Sequence, residues 1–307
     1  MNLKGRDFIS LADFTSEEIW YLLELARELK EKQKNGTPHK LLDRKTLAMI
    51  FQKSSTRTRV SFEAAMYHLG GLGMFLSKND LQIGRGEPIQ DTARVLERYC
   101  EGILIRTYSH QEVIDLAHYA DVPVINGLTD DYHPTQALAD LLTIWEHKGT
   151  LAGMKLAYVG DGNNVAHSLI LAGALTDMEV VVASPQGYQP NPEIVAKAKS
   201  LAKDPTKIKV LIDPLEAVFE AQILYTDVWT SMGQEEEMQE RKKVLSKYQI
   251  NQQMLKYADK EAIVMHCLPA HRGEEITNDV MEGPQSVVFD EAENRLHAHK
   301  AILAALL

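Results

Sequence analysis

Short aliphatic and β-branched runs recur along the chain, each followed by a segment with helical spacing, and no other feature restricts the fold as much. The runs fall at residues 46–51, 73–76, 102–105 and 122–125, then at 155–159, 179–183, 208–212, 223–225, 262–265 and 287–289. Apolar runs without polar alternation, separated by helices, belong to parallel sheets covered on both faces. A chain of 307 residues exceeds one comfortable core. The expectation is an α/β protein of two tandem domains, each a mainly parallel sheet with helices on both faces, and an active site in the interdomain cleft. The break is expected at 147–150, giving domains 1–147 and 148–291. Ahead of the first strand, Thr15 and Glu18 form a capping-box pattern that opens a helix with Ile19, Leu22, Leu23, Ala26 and Leu29 on one face.

Composition removes several function classes. A formal net charge of -10 argues against a nucleic-acid partner, because such partners select a basic face. Cys100 and Cys267 fit neither a disulfide framework nor a zinc pattern and point to a reducing compartment. The N-terminal residues carry no apolar targeting core and no run is long enough to span a membrane, so the expected location is the cytoplasm.

Ser54-Ser55-Thr56-Arg57-Thr58-Arg59 lies between the first strand and a helical pattern. Helix N-termini gather free N–H groups and the positive end of the dipole, so hydroxyls and guanidinium groups there make a site for a phosphate-like dianion. Ser and Thr are also ordinary caps, but cations in a first helical turn oppose the dipole and are unfavourable without an anion. Arg106 ends a buried strand and fits a surface ion pair as readily as a ligand. His133-Pro134-Thr135-Gln136 leads a loop into a helix, where Pro134 and Thr135 serve as a helix start whether or not His133 has a task. Cys267, in His266-Cys267-Leu268-Pro269, is as consistent with a small buried hydrophobe as with a site residue.

Gly160-Asp161-Gly162 after a strand invites a dinucleotide reading, but the third glycine is missing and Asn163-Asn164 crowds the turn. Asn164 is placed to present its amide to a polar ligand. Asp227 ends a strand and precedes Trp229-Thr230-Ser231-Met232-Gly233, a loop that can carry function or simply be solvated. The acidic residues 234–237 read as a solvated face, since neighbouring carboxylates on a helix point apart. Cations gather in the first half of the chain and Asp227, Asn164 and Ser231 in the second, which suits transfer between an anion and an amine.

Together these segments resemble the aspartate/ornithine carbamoyltransferase family over nearly the whole chain. Ser55-Thr56-Arg57-Thr58, Arg106 and His133-Pro134-Thr135-Gln136 resemble its carbamoyl phosphate motifs, while residues 227–233 and 266–269 resemble the ornithine-using branch. The resemblance implies carbamoyl transfer from carbamoyl phosphate to the δ-amine of L-ornithine, giving citrulline and phosphate, without metal or cofactor. It implies carbamoyl phosphate contacts from Ser55, Thr56, Arg57, Thr58, Gln82, Arg106, His133, Pro134, Thr135, Gln136, Cys267, Leu268 and Arg295. Asn164, Asp227, Ser231 and Met232 would hold ornithine, and Arg57, Arg106, His133, Asp227 and Cys267 would act on the reacting groups. It also implies that a C-terminal helix, 292–307, packs back on the first domain, and that the assembly is a homotrimer or a set of trimers, with Gln82 reaching a neighbour's site. The alternatives are another amine acceptor (putrescine, aspartate or an acylated ornithine) and, more distantly, a dinucleotide-dependent oxidoreductase.

Overall fold

The structure, a computed structural model, describes residues 1–230 and 237–307. Contacts divide it into two compact units, Met1–Leu142 with Glu293–Leu307, and Thr143–Ala292.

The first unit is built on four parallel strands, β1 (Thr46–Phe51), β2 (Leu72–Ser77), β3 (Gly102–Arg106) and β4 (Val124–Leu128), in the order β2-β1-β3-β4. Helices α1 (Ser16–Lys34), α2 (Thr56–His68), α3 (Ile89–Leu96) and α4 (His110–Tyr119) belong to the same unit. The capping box at the start of α1 forms: Thr15 Oγ1 accepts from the Glu18 N–H at 3.3 Å and Glu18 Oε2 from the Thr15 N–H at 2.9 Å. β4 starts later than its apolar run, because Pro123 has no N–H to give a ladder. Its pairing shifts register at Ile105/Arg106 and extends to Leu128.

The second unit carries five parallel strands, β5 (Lys155–Val159), β6 (Glu179–Ala183), β7 (Ile208–Leu211), β8 (Ile223–Thr226) and β9 (Ile263–His266), in the order β7-β6-β5-β8-β9. Between Leu142 and Thr143 the division into units falls inside α5 (Pro134–Lys148). Next come α6 (Asn164–Thr176), α7 (Pro192–Leu201), α8 (Pro214–Val218), α9 (Met238–Leu245), α10 (Gln252–Leu255) and α11 (Asn278–Met281). Nearly every residue of α6 is buried, which matches its apolar composition on all sides.

One expected strand is absent from the ladder. Residues 287–289 enter α12 (Val288–Leu306) instead. The chain touches β9 through a bridge between Val264 and Ser286 and a hydrogen bond from the Val287 N–H to the Val264 carbonyl at 3.0 Å. Asp290 and Glu291 then occupy the first turn of α12, where acidic side chains favour a helix start over a longer strand. α12 continues into the first unit, where Asn294 Oδ1 accepts from Lys30 Nζ of α1 at 2.8 Å.

Both sheets reverse strand order at one place. In the first unit β1 connects through α2 outward to β2, while β3 lies on its other side; in the second, β5 has β6 on one side and β8 on the other. Loops leaving the carboxyl ends of such paired strands diverge, and the crevice between them is where open α/β sheets take ligands.

Candidate active site

In the first unit the crevice is cationic. β1 delivers the Ser54-Ser55 turn, and the register that pairs Phe51 with Arg106 sets the end of β3 beside it. Ser55 is the N-cap of α2, its hydroxyl accepting from the Thr58 N–H at 3.2 Å. Thr58 is fully buried, and its Oγ1 accepts from Arg295 Nη2 at 2.8 Å and more loosely from Arg106 Nη1 at 3.4 Å. Arg295 Nη1 donates to Gln136 Oε1 at 2.7 Å, and Gln136 Nε2 donates to Asp140 at 2.8 Å. Two buried guanidinium groups are thus fixed by hydroxyl and amide oxygens before any ligand arrives. Arg57 is half-buried, and its guanidinium makes no hydrogen bond or ion pair among the described residues. A cation held in the first turn of a helix without such a partner is the arrangement an anion completes.

His133 is buried at the entrance to α5, with Nδ1 at 3.5 Å from the Thr135 hydroxyl. Burial, followed by Arg295, Arg106, His299 and Arg57, holds its pKa well below the usual imidazole range. The ring is therefore neutral near pH 7. A neutral imidazole carries one ring N–H, which it can offer to a carbonyl oxygen.

Arg59 departs from the sequence argument that used both arginines of the turn. It pairs with Glu63 at 3.1 Å and lies 3.7 Å above the Phe75 ring centroid, so only Arg57 carries the inference of an anion. Gln82 is exposed in a short 3-10 turn, Gln82–Arg85, and is not gathered with the other candidates. Pro134 is the first residue of α5.

In the second unit the crevice is neutral to acidic. Asp227 follows β8 and is held at both oxygens: Oδ2 accepts from Asn163 Nδ2 at 2.7 Å, and Oδ1 accepts from the Val228 N–H at 2.8 Å and from Cys267 Sγ at 3.1 Å. Asn164 opens α6 next to its cap, Asn163. Leu268 adopts φ of +58°, a left-handed conformation unusual for a branched side chain. Its N–H donates to His266 Nδ1 at 2.9 Å, which leaves the proton of that ring on Nε2, 3.0 Å from Glu275 Oε1. His266 and Glu275 are both fully buried, so the Cys267-Leu268 peptide is braced from beneath. Ser231 and Met232 lie outside the described residues.

The ligand atoms of Asp227, His266 and Cys267 lie within 4.8 Å of one another. Both nitrogens of His266 are taken by Leu268 and Glu275, however, and Asp227 by Asn163, Val228 and Cys267, so the group is a hydrogen-bond network. The dinucleotide reading of Gly160-Asp161-Gly162 meets a steric obstacle. A side chain at Gly162 would fall 2.3 Å from the Pro190 nitrogen, so the glycine admits the chain's own 189–190 segment. Asp161 pairs with Arg241, whose Nε also donates to the Trp229 carbonyl at 2.6 Å.

Two contributors escaped the sequence reading. Asn163 was legible as an N-cap preceding a helical pattern, though the carboxylate it holds was not. Glu275 has no local signal, since its partner is fixed by how the 266–275 loop closes.

Comparison with known proteins agrees with this division. Residues 6–146 match the carbamoyl-P binding domain of aspartate/ornithine carbamoyltransferases, and residues 152–306 match their Asp/Orn binding domain. Relatives include the ornithine carbamoyltransferase of Pyrococcus abyssi, 58% identical over 100% of this chain and 97% of that protein. The anabolic ornithine carbamoyltransferase of Pyrococcus furiosus is 56% identical over 100% of this chain and 98% of its own. Among solved structures, an ornithine carbamoyltransferase from Pyrococcus furiosus superposes with a TM-score of 0.97 at 57% identity, covering 100% of this chain and 98% of that one. An anabolic ornithine carbamoyltransferase from Campylobacter jejuni gives 0.92 at 42% identity, covering 97% of each.

Proposed function

Since the chain belongs to the aspartate/ornithine carbamoyltransferase family, we propose that it transfers the carbamoyl group of carbamoyl phosphate to the δ-amine of L-ornithine, releasing citrulline and phosphate. All four relatives just described carry the name of that activity, three of them over 100% of this chain and the fourth over 97%. The observation that carries the reading is the half-buried Arg57 at the head of α2, beside Thr58 and two further guanidinium groups that converge on its hydroxyl.

In this reading residues 1–147 with the C-terminal helix bind carbamoyl phosphate and residues 148–291 bind ornithine. The first-turn N–H groups of α2, Ser55, Thr56, Arg57 and Thr58 receive the phosphate, with Arg106 as a second fork. The amine nitrogen forms a bond to the carbonyl carbon, and the C–O bond to phosphate breaks with its electron pair leaving on the phosphate oxygen. Negative charge grows on the carbonyl oxygen on the way. His133, Arg57, Arg106 and Thr58 oppose it, and the loss of one such donor lowers the rate by a factor on the order of a hundred or more. Gln136 and the Leu268 carbonyl accept from the carbamoyl amide, and Arg295 holds Thr58 and Gln136 in register.

The attacking amine must lose one proton to solvent before it attacks, since an unperturbed alkylamine keeps it to about pH 10, and a second as the adduct collapses, which the departing phosphate oxygen takes. Asp227 and Cys267 orient it, while Asn164, Ser231 and Met232 take the α-amino and α-carboxyl groups. The transfer described needs no covalent role for Cys267, whose Sγ donates to Asp227.

The same reading includes a homotrimer in which Gln82 serves a neighbour's site. Its support is the edge position of β2 and the exposed Val60, Tyr67 and Leu72 on α2 and β2. A solution mass three times 34.5 kDa is expected by light scattering, and a monomer at working concentration would sink it. It also places the enzyme in the cytoplasm, consistent with two cysteines that form no disulfide.

The decisive assay is citrulline formation from carbamoyl phosphate and ornithine, with a saturation curve for each, run beside putrescine, aspartate and acetylornithine. Preference for one of the other amines would overturn the assignment.

A further inference from the structure

Asn163 meets two demands at once. Its Oδ1 accepts from the backbone N–H groups of Val165 and Ala166 at 2.9 and 3.3 Å, capping α6, and from the hydroxyl of the buried Tyr158 at 3.2 Å. Three donors aimed at one atom settle which end of the amide is oxygen, an assignment that otherwise rests on inspection. The NH2 group is left pointing at Asp227, whose Oδ2 accepts from it at 2.7 Å. We propose that Asn163 is a positioning residue, which fixes the carboxylate of Asp227 at the orientation that the incoming amine requires.

The physical case rests on how Asp227 is held. Among the described residues its other side-chain contacts, the Val228 N–H and the Cys267 thiol, both reach Oδ1. A carboxylate gripped at one oxygen can still turn about its Cβ–Cγ bond, which is a broad, nearly two-fold torsion. The Asn163 NH2 closes that freedom at the second oxygen. It does so with a neutral donor, which places no cation beside the carboxylate, whereas Lys or Arg in its place would. The helix cap ties this donor to α6, buried from Val165 to Thr176, and Tyr158, whose ring centroid lies 5.9 Å from that of Tyr225, anchors the opposite side. Positioning groups held by packed elements in this way keep reacting atoms within the fraction of an ångström that transfer demands.

The role rests on the function proposed above, and capping alone would be its rival. Ser caps a helix as well as Asn does, but its hydroxyl lies a bond short of the Nδ2 position. Asp keeps the acceptor and the shape while replacing the donor by an oxygen that faces Asp227. Asn163→Ser should still unfold in one cooperative transition, its midpoint lowered only by the lost hydrogen bonds to Asp227 and Tyr158, since Ser keeps the cap. Its kcat/KM for ornithine should fall on the order of tenfold to a hundredfold, with the affinity for carbamoyl phosphate unchanged. Asn163→Asp should lose more activity than Asn163→Ser, again with carbamoyl phosphate binding intact. Wild-type kcat/KM for ornithine in either variant would overturn the positioning role and leave capping alone. A turnover-free reading separates this from the function itself: thermal midpoints of Asn163→Ser, Asp227→Ser and the double variant. A double shift smaller than the sum supports the tether even if the wild type were to make no citrulline, and additive shifts refute it.

Discussion

The two units use one topological device for opposite charges. Each sets its candidate residues where a parallel sheet reverses strand order, after β1 and β3 in the first unit and after β5 and β8 in the second. The first crevice collects Arg57, Arg106 and Arg295 around Thr58, the second a carboxylate held by an amide, a backbone N–H and a thiol. The difference teaches that strand order supplies the place and the loop residues supply the sign. In the proposed reading a dianion is met by Arg57 and by guanidinium groups hydrogen-bonded to neutral oxygens. In the same reading an amino acid is met by the Asp227 carboxylate.

If the charges are sorted in this way, substitutions on each side should act on different substrates. The largest effect is expected for Arg57→Gly, which leaves the fold intact, since the side chain is half-buried without a partner among the described residues. Citrulline formation should drop by about a thousandfold or more, because both ground-state anion binding and transition-state charge are affected. A variant with near wild-type turnover would break the comparison at its cationic end. Next, Asp227→Asn should lower kcat/KM for ornithine by on the order of a hundredfold with carbamoyl phosphate binding unchanged. Weaker carbamoyl phosphate binding in that variant would show that the two sets of residues do not divide the substrates.

A smaller effect is expected beneath Leu268. His266 takes the Leu268 N–H at Nδ1 and meets Glu275 at Nε2. Asn presents an oxygen close to the Nδ1 position of His, so His266→Asn should retain more activity than His266→Phe by roughly tenfold, since Asn can still accept from the Leu268 N–H and Phe cannot, while both lose the contact with Glu275. Equal kcat in the folded variants would mean that the brace serves stability alone.

These contrasts also explain what the sequence could show. The Ser55-to-Thr58 turn was legible because cap, helix start and cation sit within four consecutive residues, where local rules apply. Strands such as Lys155–Val159 and Glu179–Ala183 coincide with their apolar runs, since a strand buried on both faces has no other reading beside long helices. Residues 287–289 misled because a three-residue β-branched run is too short for periodicity to separate strand from helix start. Arg59 misled because its fate depends on Glu63 and Phe75, one a helical turn ahead and the other on β2. The hydrogen bonds from Arg295 to Thr58 and Gln136 span more than a hundred residues of chain, so only the family resemblance pointed to Arg295 beforehand. Asp227's second oxygen is held by a residue on another strand-to-helix turn, and the Glu275 brace depends on how the 266–275 loop closes, so neither shows in local sequence.

The smallest effect tests the charge contrast through pH. In the first unit, burial and the surrounding guanidinium groups depress the pKa of His133, while in the second, burial raises Asp161 from 3.8 to about 6 despite its pairing with Arg241. The signs are opposite. Below pH 6.5 the unfolded chain protonates the imidazole and the folded one resists, so stability drawn from neutral His133 is present above that value and lost as pH falls. For Asp161 the folded state takes up the proton first, between about 6 and 3.8, so its contribution grows as pH falls through that window and is absent above it. A rise of about two units is worth about 3 kcal/mol at most. Hydrogen exchange between pH 7 and 5 should therefore show α2 and the first turn of α5 losing protection while α6 and β8 hold theirs. Asp161→Asn should flatten the response of the second unit and leave that of the first unchanged. Parallel loss of protection in both units would mean that the two crevices share one electrostatic environment, which is the opposite of what their side chains display.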